Sequence, residues 1–312
     1  MAVSKTHEQS AGKLPPPAPM TWREMWHTAV VLFKLRIVFL LLLSATGGAF
    51  LAARGFPGWL NFGLLLLTGG AAAAGASAIN QYYERETDKQ MSRTKTRPLA
   101  SGVIRNPQWV LWVALALIFV PSLAIITIRP WLTFFNLLGA FIYVVIYTIW
   151  LKPRTLLNIV IGGAAGSAAV LSGGAAVQAW SDPTVLALAA IMFLWTPSHF
   201  WSLAILYKDD YDRSDTPMLP SRTTPKQAAW WVFAHTMPTA VGAMFLAVIP
   251  ELGWLYFIPV AVASLDMFRR NALLIREPTS PHARSLFLAS NVYLMVVLVA
   301  IMLATTVGSF LN

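Results

Sequence analysis

A row of acidic and amide side chains precedes a basic run in the first third of the chain. Asn80, Glu84 and Asp88 are four residues apart, so on a helix their side chains share one face. Arg93 and Arg97 follow within about three helical turns. Oxygen ligands beside guanidinium groups suit a magnesium-bound diphosphate. The spacing therefore predicts a site for a phosphorylated substrate.

A charge run of this kind is more often a solvated loop, and three features argue against that reading here. The Asn/Glu/Asp spacing is helical, and the carboxylates precede the arginines rather than alternate with them. Asn80 also directly follows the apolar run that ends at Ile79, at a depth where polar groups are costly in a membrane. We therefore favour a functional site.

A second acidic segment lies between Tyr207 and Pro220. It holds four aspartates within seven residues: Asp209, Asp210, Asp212 and Asp215. Two acidic segments, each at the end of an apolar stretch, predict a shared divalent-ion site, with Asp209 or Asp210 opposite the first row. Magnesium is the expected ion because the ligands are all oxygen and phosphates can complete its octahedron.

Other cations lie near the ends of apolar stretches. Lys152 and Arg154 form a basic pair that could neutralise a diphosphate or simply set the topology, and we favour the diphosphate role. Lys34 and Arg36 lie near the start of the first apolar stretch. We expect both side chains to extend to lipid headgroups.

The composition is that of a membrane protein. Of the 312 residues, 57% are hydrophobic and only 12% are charged, about half the charged fraction of a soluble domain. The chain has no cysteine, which excludes disulfides, thiolate metal sites and a cysteine nucleophile. Residues 1–20 are polar and proline-rich and are predicted to form a disordered tail before one membrane domain, 21–312. No nucleic-acid partner is expected.

A membrane-spanning helix needs about 20 mostly apolar residues, and the sequence contains about nine such stretches. They are 29–53, 59–80, 108–128, 131–150, 156–178, 184–206, 227–249, 254–270 and 286–309. The eighth is the least regular, since charges interrupt its end. The predicted fold is therefore an all-α bundle of about nine transmembrane helices.

The connectors between these stretches alternate in charge. One set is short and contains only two of the 23 Lys and Arg residues, Arg54 and Arg129. The other set includes the N-terminal tail and the basic segments 81–107 and 207–226. The positive-inside rule predicts that the N-terminus and the basic connectors are cytoplasmic and that the C-terminus is outside. We expect a bacterial inner (plasma) membrane protein in contact with membrane lipids.

The sequence resembles the intramembrane aromatic prenyltransferases, the UbiA-like superfamily, and within them a haem-farnesylating branch. The resemblance covers essentially the whole chain and is carried by these segments: Asn80-x3-Glu84-x3-Asp88 with Arg93 and Arg97-Pro98, Asn158 to Gly166, Thr196 to Trp201, Tyr207 to Tyr211, Pro217 to Pro220, and Ser290 to Leu294. It implies helices around a central cavity that opens to the cytoplasmic side.

The resemblance also implies a reaction. Farnesyl diphosphate, held through Mg2+, would transfer its farnesyl group to a vinyl group of haem b and give haem O. A haem A synthase or the assembly of a terminal oxidase would use the product. Alternatives remain: another acceptor such as hydroxybenzoate, a quinone precursor or a chlorin; a transporter; or a non-catalytic haem carrier or oxidase assembly factor. Ionisable residues collected at the span ends disfavour a transporter.

The resemblance and the chemistry together assign roles to particular residues. The expected metal and catalytic ligands are Asn80, Glu84, Asp88, Asp209 and Asp210. The expected diphosphate-binding cations are Arg93, Arg97, Lys152 and Lys208. The expected acceptor pocket consists of His199, Phe200, Trp201, Tyr83 and Tyr147, with Tyr82 as a further aromatic candidate. For His199 a hydrogen bond within the bundle and a contact to haem are equally favoured.

The sequence departs from the superfamily pattern at two places. Glu84 stands where the first motif usually has aspartate, which moves the carboxylate by about one C–C bond in a site where magnesium geometry is strict. The second motif is commonly Asp-x3-Asp, and no pair among the four aspartates from Asp209 to Asp215 has that spacing. Which of them bind metal is left open by the sequence.

Overall fold

A computed structural model describes residues 20–214 and 216–311, without the side chains of residues 310 and 311. The predicted disordered tail, apart from residue 20, and Asp215 lie outside these residues. Every regular element within them is helical, so the all-α prediction is confirmed for the described part of the chain.

The helices follow one another with short connections, except for the long connection 89–107 between the third and fourth helices. They are α1 (Trp22–Leu32), α2 (Leu35–Ala53), α3 (Trp59–Asp88), α4 (Gln108–Ala124), α5 (Pro130–Leu151), α6 (Asn158–Ala176), α7 (Pro183–Leu206), α8 (Lys208–Arg213), α9 (Leu219–Arg222), α10 (Pro225–Val248), α11 (Gly253–Arg276) and α12 (Ser280–Leu311). The second half of α5 is a π-helix from Ile142 to Leu151.

All nine predicted stretches are largely helical, and within the described residues seven helices are long and apolar enough to cross a membrane. These are α2, α3, α5, α6, α7, α10 and α12. The other two are α4, which has 17 residues, and α11, which carries charges near its end. The count of nine crossings therefore stays a prediction, as does the central cavity that opens to one side.

Several predicted boundaries differ from the structure by a few residues or more, and two of the differences have a local explanation. The first span begins at Leu35 rather than 29, because the backbone of Lys34 is left-handed (φ 48°) and interrupts the helix. The eighth continues to Arg276 rather than ending at 270. One turn inside it, the Arg270 guanidinium donates to Asp266 at 2.7 Å, so these charges support the helix instead of ending it.

Small residues let the helices pack closely. At Gly173 in α6, an added Cβ would lie 1.9 Å from the Ala45 carbonyl oxygen of α2. At Gly75 in α3, it would lie 2.5 Å from the Ala114 carbonyl oxygen of α4. Such close backbone approach is typical of helix packing in membranes, where small residues replace large side chains at the contact.

The two sets of connectors meet at opposite ends of the bundle. At one end, hereafter the basic end, Asn158 at the start of α6 donates to the Pro217 carbonyl before α9 at 2.9 Å. At the opposite end, Arg54 after α2 donates to Asp182 before α7 at 3.2 Å. The structure thus groups the connectors as the charge pattern does, and the acidic motifs belong to the basic end.

Candidate functional site

The predicted row on α3 lies on one buried face near the end of the helix. Asn80, Glu84 and Asp88 are 2%, 8% and 4% exposed, although α3 extends past the apolar stretch toward the basic end. Helical periodicity accounts for the shared face, since residues four apart repeat on one side of a helix. Burying two carboxylates is costly unless each has a partner.

Cations from other segments pair with both carboxylates. The Lys152 ammonium, just after α5, pairs with Glu84. The Arg97 guanidinium contacts both carboxylate oxygens of Asp88, at 2.9 and 2.7 Å, and lies 3.9 Å from Glu84. The chain therefore brings the predicted diphosphate cations Arg97 and Lys152 directly onto the acidic row.

Lys34 is the third cation of this group, and the expectation that it extends to headgroups is wrong. Its ammonium donates to the Asn80 amide oxygen at 2.5 Å and to the Tyr143 hydroxyl at 3.0 Å. The left-handed backbone at Lys34 ends one helix and begins the next, so that α1 and α2 are separate helices. At this break the lysine side chain reaches Asn80 on α3. Arg36, in contrast, is exposed.

The second acidic segment is joined to the first through the loop after α3. The Ser92 hydroxyl donates to Asp210 at 2.6 Å, and the Arg93 guanidinium lies over the Tyr207 ring at 5.7 Å. Thr94 fixes the loop to α3 by donating to the Asp88 carbonyl oxygen at 3.0 Å. The two predicted motifs therefore form one continuous surface at the basic end.

The structure distinguishes the two candidate aspartates of α8. Asp210 is 5% exposed, whereas Asp209 is exposed. Burial acts to raise the pKa of Asp210, but hydrogen bonds from Ser92, Arg213 and the Arg93 backbone outweigh it and hold that pKa below its usual value. Asp210 is therefore the ionised carboxylate that faces the first motif.

Two candidates are not brought to this surface. The Lys208 ammonium pairs with Asp212 on the exposed side of α8. The Tyr83 side chain is 50% exposed on α3, outside the buried row. Lys208 as a diphosphate ligand and Tyr83 as an acceptor contact thus gain no support from the geometry.

Two stacked tyrosines cover the acidic row from the π-helical half of α5. Tyr143 and Tyr147 have ring centroids 5.8 Å apart at an angle of 15°, and the Lys152 ammonium lies 5.9 Å from the Tyr147 ring. Thr148 in the same segment accepts a hydrogen bond from the Asn80 amide at 3.0 Å. π-Helical segments often mark functional sites, and this one supplies the aromatic wall beside Glu84 and Asn80.

The donor set fits a magnesium ion that arrives with a diphosphate. Among the described residues, no three His, Asp or Glu side chains are grouped as metal ligands. Magnesium is usually held by one or two carboxylates together with substrate phosphates, rather than by a complete protein cage. Buried Glu84 and Asp88 beside three cations provide such an incomplete set.

His199 lies apart from the acidic row, between α7 and α12, where it contacts the Ser290 hydroxyl. Its ring stacks on Trp195, with ring centroids 4.3 Å apart, and lies tilted against Phe287, with centroids 4.7 Å apart. Its Nδ1 is 2.7 Å from the Ser290 hydroxyl. Because that hydroxyl donates to the Phe287 carbonyl, its oxygen must accept from Nδ1–H. Nε2 is then the nitrogen with a free lone pair.

The aromatic neighbours of His199 differ in their surroundings. Trp201 is 2% exposed and packs edge-on against His235 at 5.0 Å, so it belongs to the core. Phe200 is partly buried against the same core. Of the predicted aromatic residues, Tyr147 is the one that the structure brings beside the acidic row.

Sequence reasoning missed Ser92 and assigned Lys34 incorrectly. The signal for Lys34 was a lysine next to an apolar stretch, which is the same pattern that a headgroup contact gives. Ser92 had no signal of its own, since a serine in a polar loop is ordinary. Only the fold brings these residues to Asn80 and Asp210.

Comparisons with known proteins identify the family of the chain. Residues 41–295 match the UbiA prenyltransferase family. The chain is 38% identical over 276 residues to a protein named protoheme IX farnesyltransferase from Metallosphaera sedula, covering 87% of this chain and 94% of the relative. It is 40% identical over 290 residues to protoheme IX farnesyltransferase 1 from Paramagnetospirillum magneticum, covering 90% and 98%.

Solved structures share the fold at low sequence identity. A digeranylgeranylglyceryl phosphate synthase structure has a TM-score of 0.73 at 18% identity and covers 91% of this chain and 99% of its own. A UbiA homolog from Archaeoglobus fulgidus, bound to GPP and Mg2+, has a TM-score of 0.58 at 15% identity and covers 88% and 99%.

Proposed function

This chain belongs to the UbiA prenyltransferase family, and we propose that it transfers a farnesyl group from farnesyl diphosphate to haem b. It is a membrane-embedded prenyltransferase. The observation that carries the proposal is the buried row of Asn80, Glu84 and Asp88, each paired with its own cation. Relatives of nearly full length, at 38% and 40% identity, bear the name protoheme IX farnesyltransferase, which favours haem over other acceptors.

In the proposed reaction, the allylic C–O bond breaks and its electron pair leaves with the diphosphate. The vinyl π electrons of haem form the new C–C bond. Water then adds to the carbon next to the porphyrin ring and loses a proton, which gives the hydroxyethylfarnesyl group of haem O. Mg2+, when bound, would neutralise charge on the departing diphosphate.

The metal–diphosphate would be held by Asn80, Glu84 and Asp88 on α3 and by Asp210 on α8. Arg97 and Lys152 would bind phosphate oxygens. Both already lie on the carboxylates, so an arriving metal and diphosphate could divide these ion pairs, with the metal on the acids and the phosphates on the bases. Fixed charges of this kind stabilise a leaving group without rearrangement of solvent.

Further cations and an aromatic wall complete the proposed donor site. Lys34 and Arg93 border the same surface and would add positive charge next to the phosphates. The allylic cation needs a dry pocket where ring faces attract positive charge. Tyr143 and Tyr147 would supply it, since both stack beside the acidic row.

His199 would contact the haem acceptor. Its Nε2 has the free lone pair that an iron ligand requires, and its ring is held by stacking and by Ser290. Whether it serves as iron ligand can be read directly from the absorption spectrum of the protein with haem b. Phe200 is the adjacent aromatic contact.

The protein would lie in a bacterial inner membrane with its basic end in the cytoplasm. The support is the charge pattern, with Arg54 and Arg129 alone among the 23 Lys and Arg residues in the short connectors. The C-terminus would then be outside. A haem A synthase or the assembly of a terminal oxidase would consume the product.

The proposal is tested by incubating the purified protein with haem b and farnesyl diphosphate, with Mg2+ or with a chelator. We expect haem O, identified by mass, only when Mg2+ is present. Parallel reactions with 4-hydroxybenzoate or a chlorin as acceptor should give no prenylated product. Prenylation of either of these but not of haem b would overturn the acceptor assignment.

A further inference from the structure

A pocket at the basic end lies apart from the acidic row. It has a volume of about 770 Å³ and lies beside the α11–α12 hairpin. Arg270 and Arg284 line it, together with the apolar residues Leu206, Leu288 and Val292. None of these residues pairs with the row on α3. The pocket therefore has a charged part and an apolar part, as an amphiphile does.

The charged part is positive. Asp266 pairs with Arg270 at 2.7 Å and with Arg269 at 3.8 Å, and Arg270 also donates to the Ser285 hydroxyl. Arg284 has no hydrogen bond or ion pair to any residue that the structure describes. Arg269 does not line the pocket, and the two arginines that do, Arg270 and Arg284, face one aspartate. They leave a net positive charge, which suits an anion.

The apolar part continues along α12. Leu288 and Val292 are 52% and 59% exposed, and Met295 and Val299 extend the same exposed stripe at helical spacing. From Leu288 to Val299 the stripe runs roughly 16 Å, about half of a hydrocarbon core of roughly 30 Å. The length of the stripe matches the hydrocarbon thickness of one leaflet. The stripe begins one helical turn after Arg284.

We propose that this pocket binds an anionic phospholipid of the surrounding membrane. The headgroup phosphate lies between Arg270 and Arg284, and one acyl chain lies along the α12 stripe. Basic pockets between membrane helices commonly bind anionic headgroups. A phospholipid fits better than a metal–diphosphate, because Asp266 is the one carboxylate of the pocket and it is already shared by two arginines.

The test uses the full-length protein, delipidated and placed in nanodiscs of phosphatidylcholine with added phosphatidylglycerol. Bound phosphatidylglycerol is counted by native mass spectrometry after release from the nanodisc. Arg284→Gln should weaken its retention at least fivefold. Arg105→Gln is the matched control, since Arg105 is also exposed at the basic end but lies outside the pocket, and it should retain the lipid as the unmodified protein does.

Two competing ligands test whether the pocket binds a phospholipid rather than a free phosphate or a diphosphate. Glycerol phosphate, which carries the headgroup charge without a chain, should not displace the lipid at equal concentration. Farnesyl diphosphate should not displace it either. Equal retention in Arg284→Gln and Arg105→Gln, or displacement by either competitor that depends on Arg284, would overturn the proposal.

A Leu288→Asn variant that keeps Arg284 should also lose lipid, and normal retention there would contradict the placement of the acyl chain.

Discussion

The two ends of the bundle both hold charged side chains, but they use them differently. At the opposite end, one arginine, Arg54, reaches Asp182 at 3.2 Å and Glu251 at 3.6 Å and so ties three connectors together. At the basic end, Glu84 and Asp88 lie along one helix face, and each has a separate cation.

Stability alone explains the first arrangement but not the second. A single arginine shared by two loops holds the helix ends in register. Buried ion pairs rarely stabilise a fold more than apolar packing would, so a row of them on one face is costly for structure alone. The proposed substrate, which would carry both a metal and a diphosphate, would explain why the row is present. Substitutions at the basic end should therefore reduce transfer activity, whereas substitutions at the opposite end should reduce stability.

The largest expected effect is at Asp88. Asp88→Asn should abolish farnesyl transfer, a loss of about 1,000-fold or more, because it removes a buried charge that balances the metal and Arg97. Haem binding, measured from the Soret band, should stay largely intact. Asp182→Asn at the opposite end is the control and should keep its activity. Normal turnover by Asp88→Asn would remove the metal role of the row.

Asp210 and Asp209 form a matched pair at the basic end. Asp210→Asn should lower the rate of haem O formation by about 10- to 100-fold, because Asp210 is buried against the loop of the first motif. Asp209→Asn should leave the rate unchanged, since that side chain is exposed. Equal losses in the two variants would contradict the assignment of Asp210.

Arg97 tests the geometry of the cation rather than its charge. Arg97→Lys keeps the charge but replaces a planar fork by a point donor. The affinity for farnesyl diphosphate should fall about tenfold, the equivalent of losing one charged hydrogen bond. Titration calorimetry with farnesyl diphosphate and Mg2+ measures it, and an unchanged affinity would argue against direct phosphate contact.

Arg54 tests the opposite end. Arg54→Gln should destabilise the protein by about 1–2 kcal/mol, because Asp182 and Glu251 lose their shared partner. Transfer activity at low temperature should remain. Thermal unfolding in detergent gives the first quantity and haem O formation gives the second. A loss of activity without a loss of stability would reverse the roles assigned to the two ends.

The smallest expected effect is a pH dependence at Asp182. Burial acts to raise its pKa, but hydrogen bonds from Thr184 and the charge of Arg54 outweigh this, so the pKa lies below the usual value. The stabilisation is therefore complete above the unfolded pKa of about 3.9 and is lost as the pH falls through the folded pKa. Melting curves at pH 6 and pH 3 should differ less for Asp182→Asn than for the unmodified protein.

At the basic end, the sequence predicts features that depend on local residue spacing better than features that depend on tertiary contacts. The row from Asn80 to Asp88 follows from a four-residue spacing, and apolar length predicts the helices that carry it. Lys34 could not be assigned, because its direction depends on a left-handed break that no local pattern requires. The choice between Asp209 and Asp210 depends on how α8 packs against the loop around Ser92, which is a tertiary contact.

The most direct test of the central claim is the binding of Mn2+ in place of Mg2+, followed by electron paramagnetic resonance. With farnesyl diphosphate present, we expect one tightly bound Mn2+ in the unmodified protein and much weaker binding in both Asp88→Asn and Asp210→Asn. This result would mean that α3 and α8 hold the same metal–diphosphate. Unchanged Mn2+ binding in Asp210→Asn, with loss only in Asp88→Asn, would contradict a site shared by the two segments.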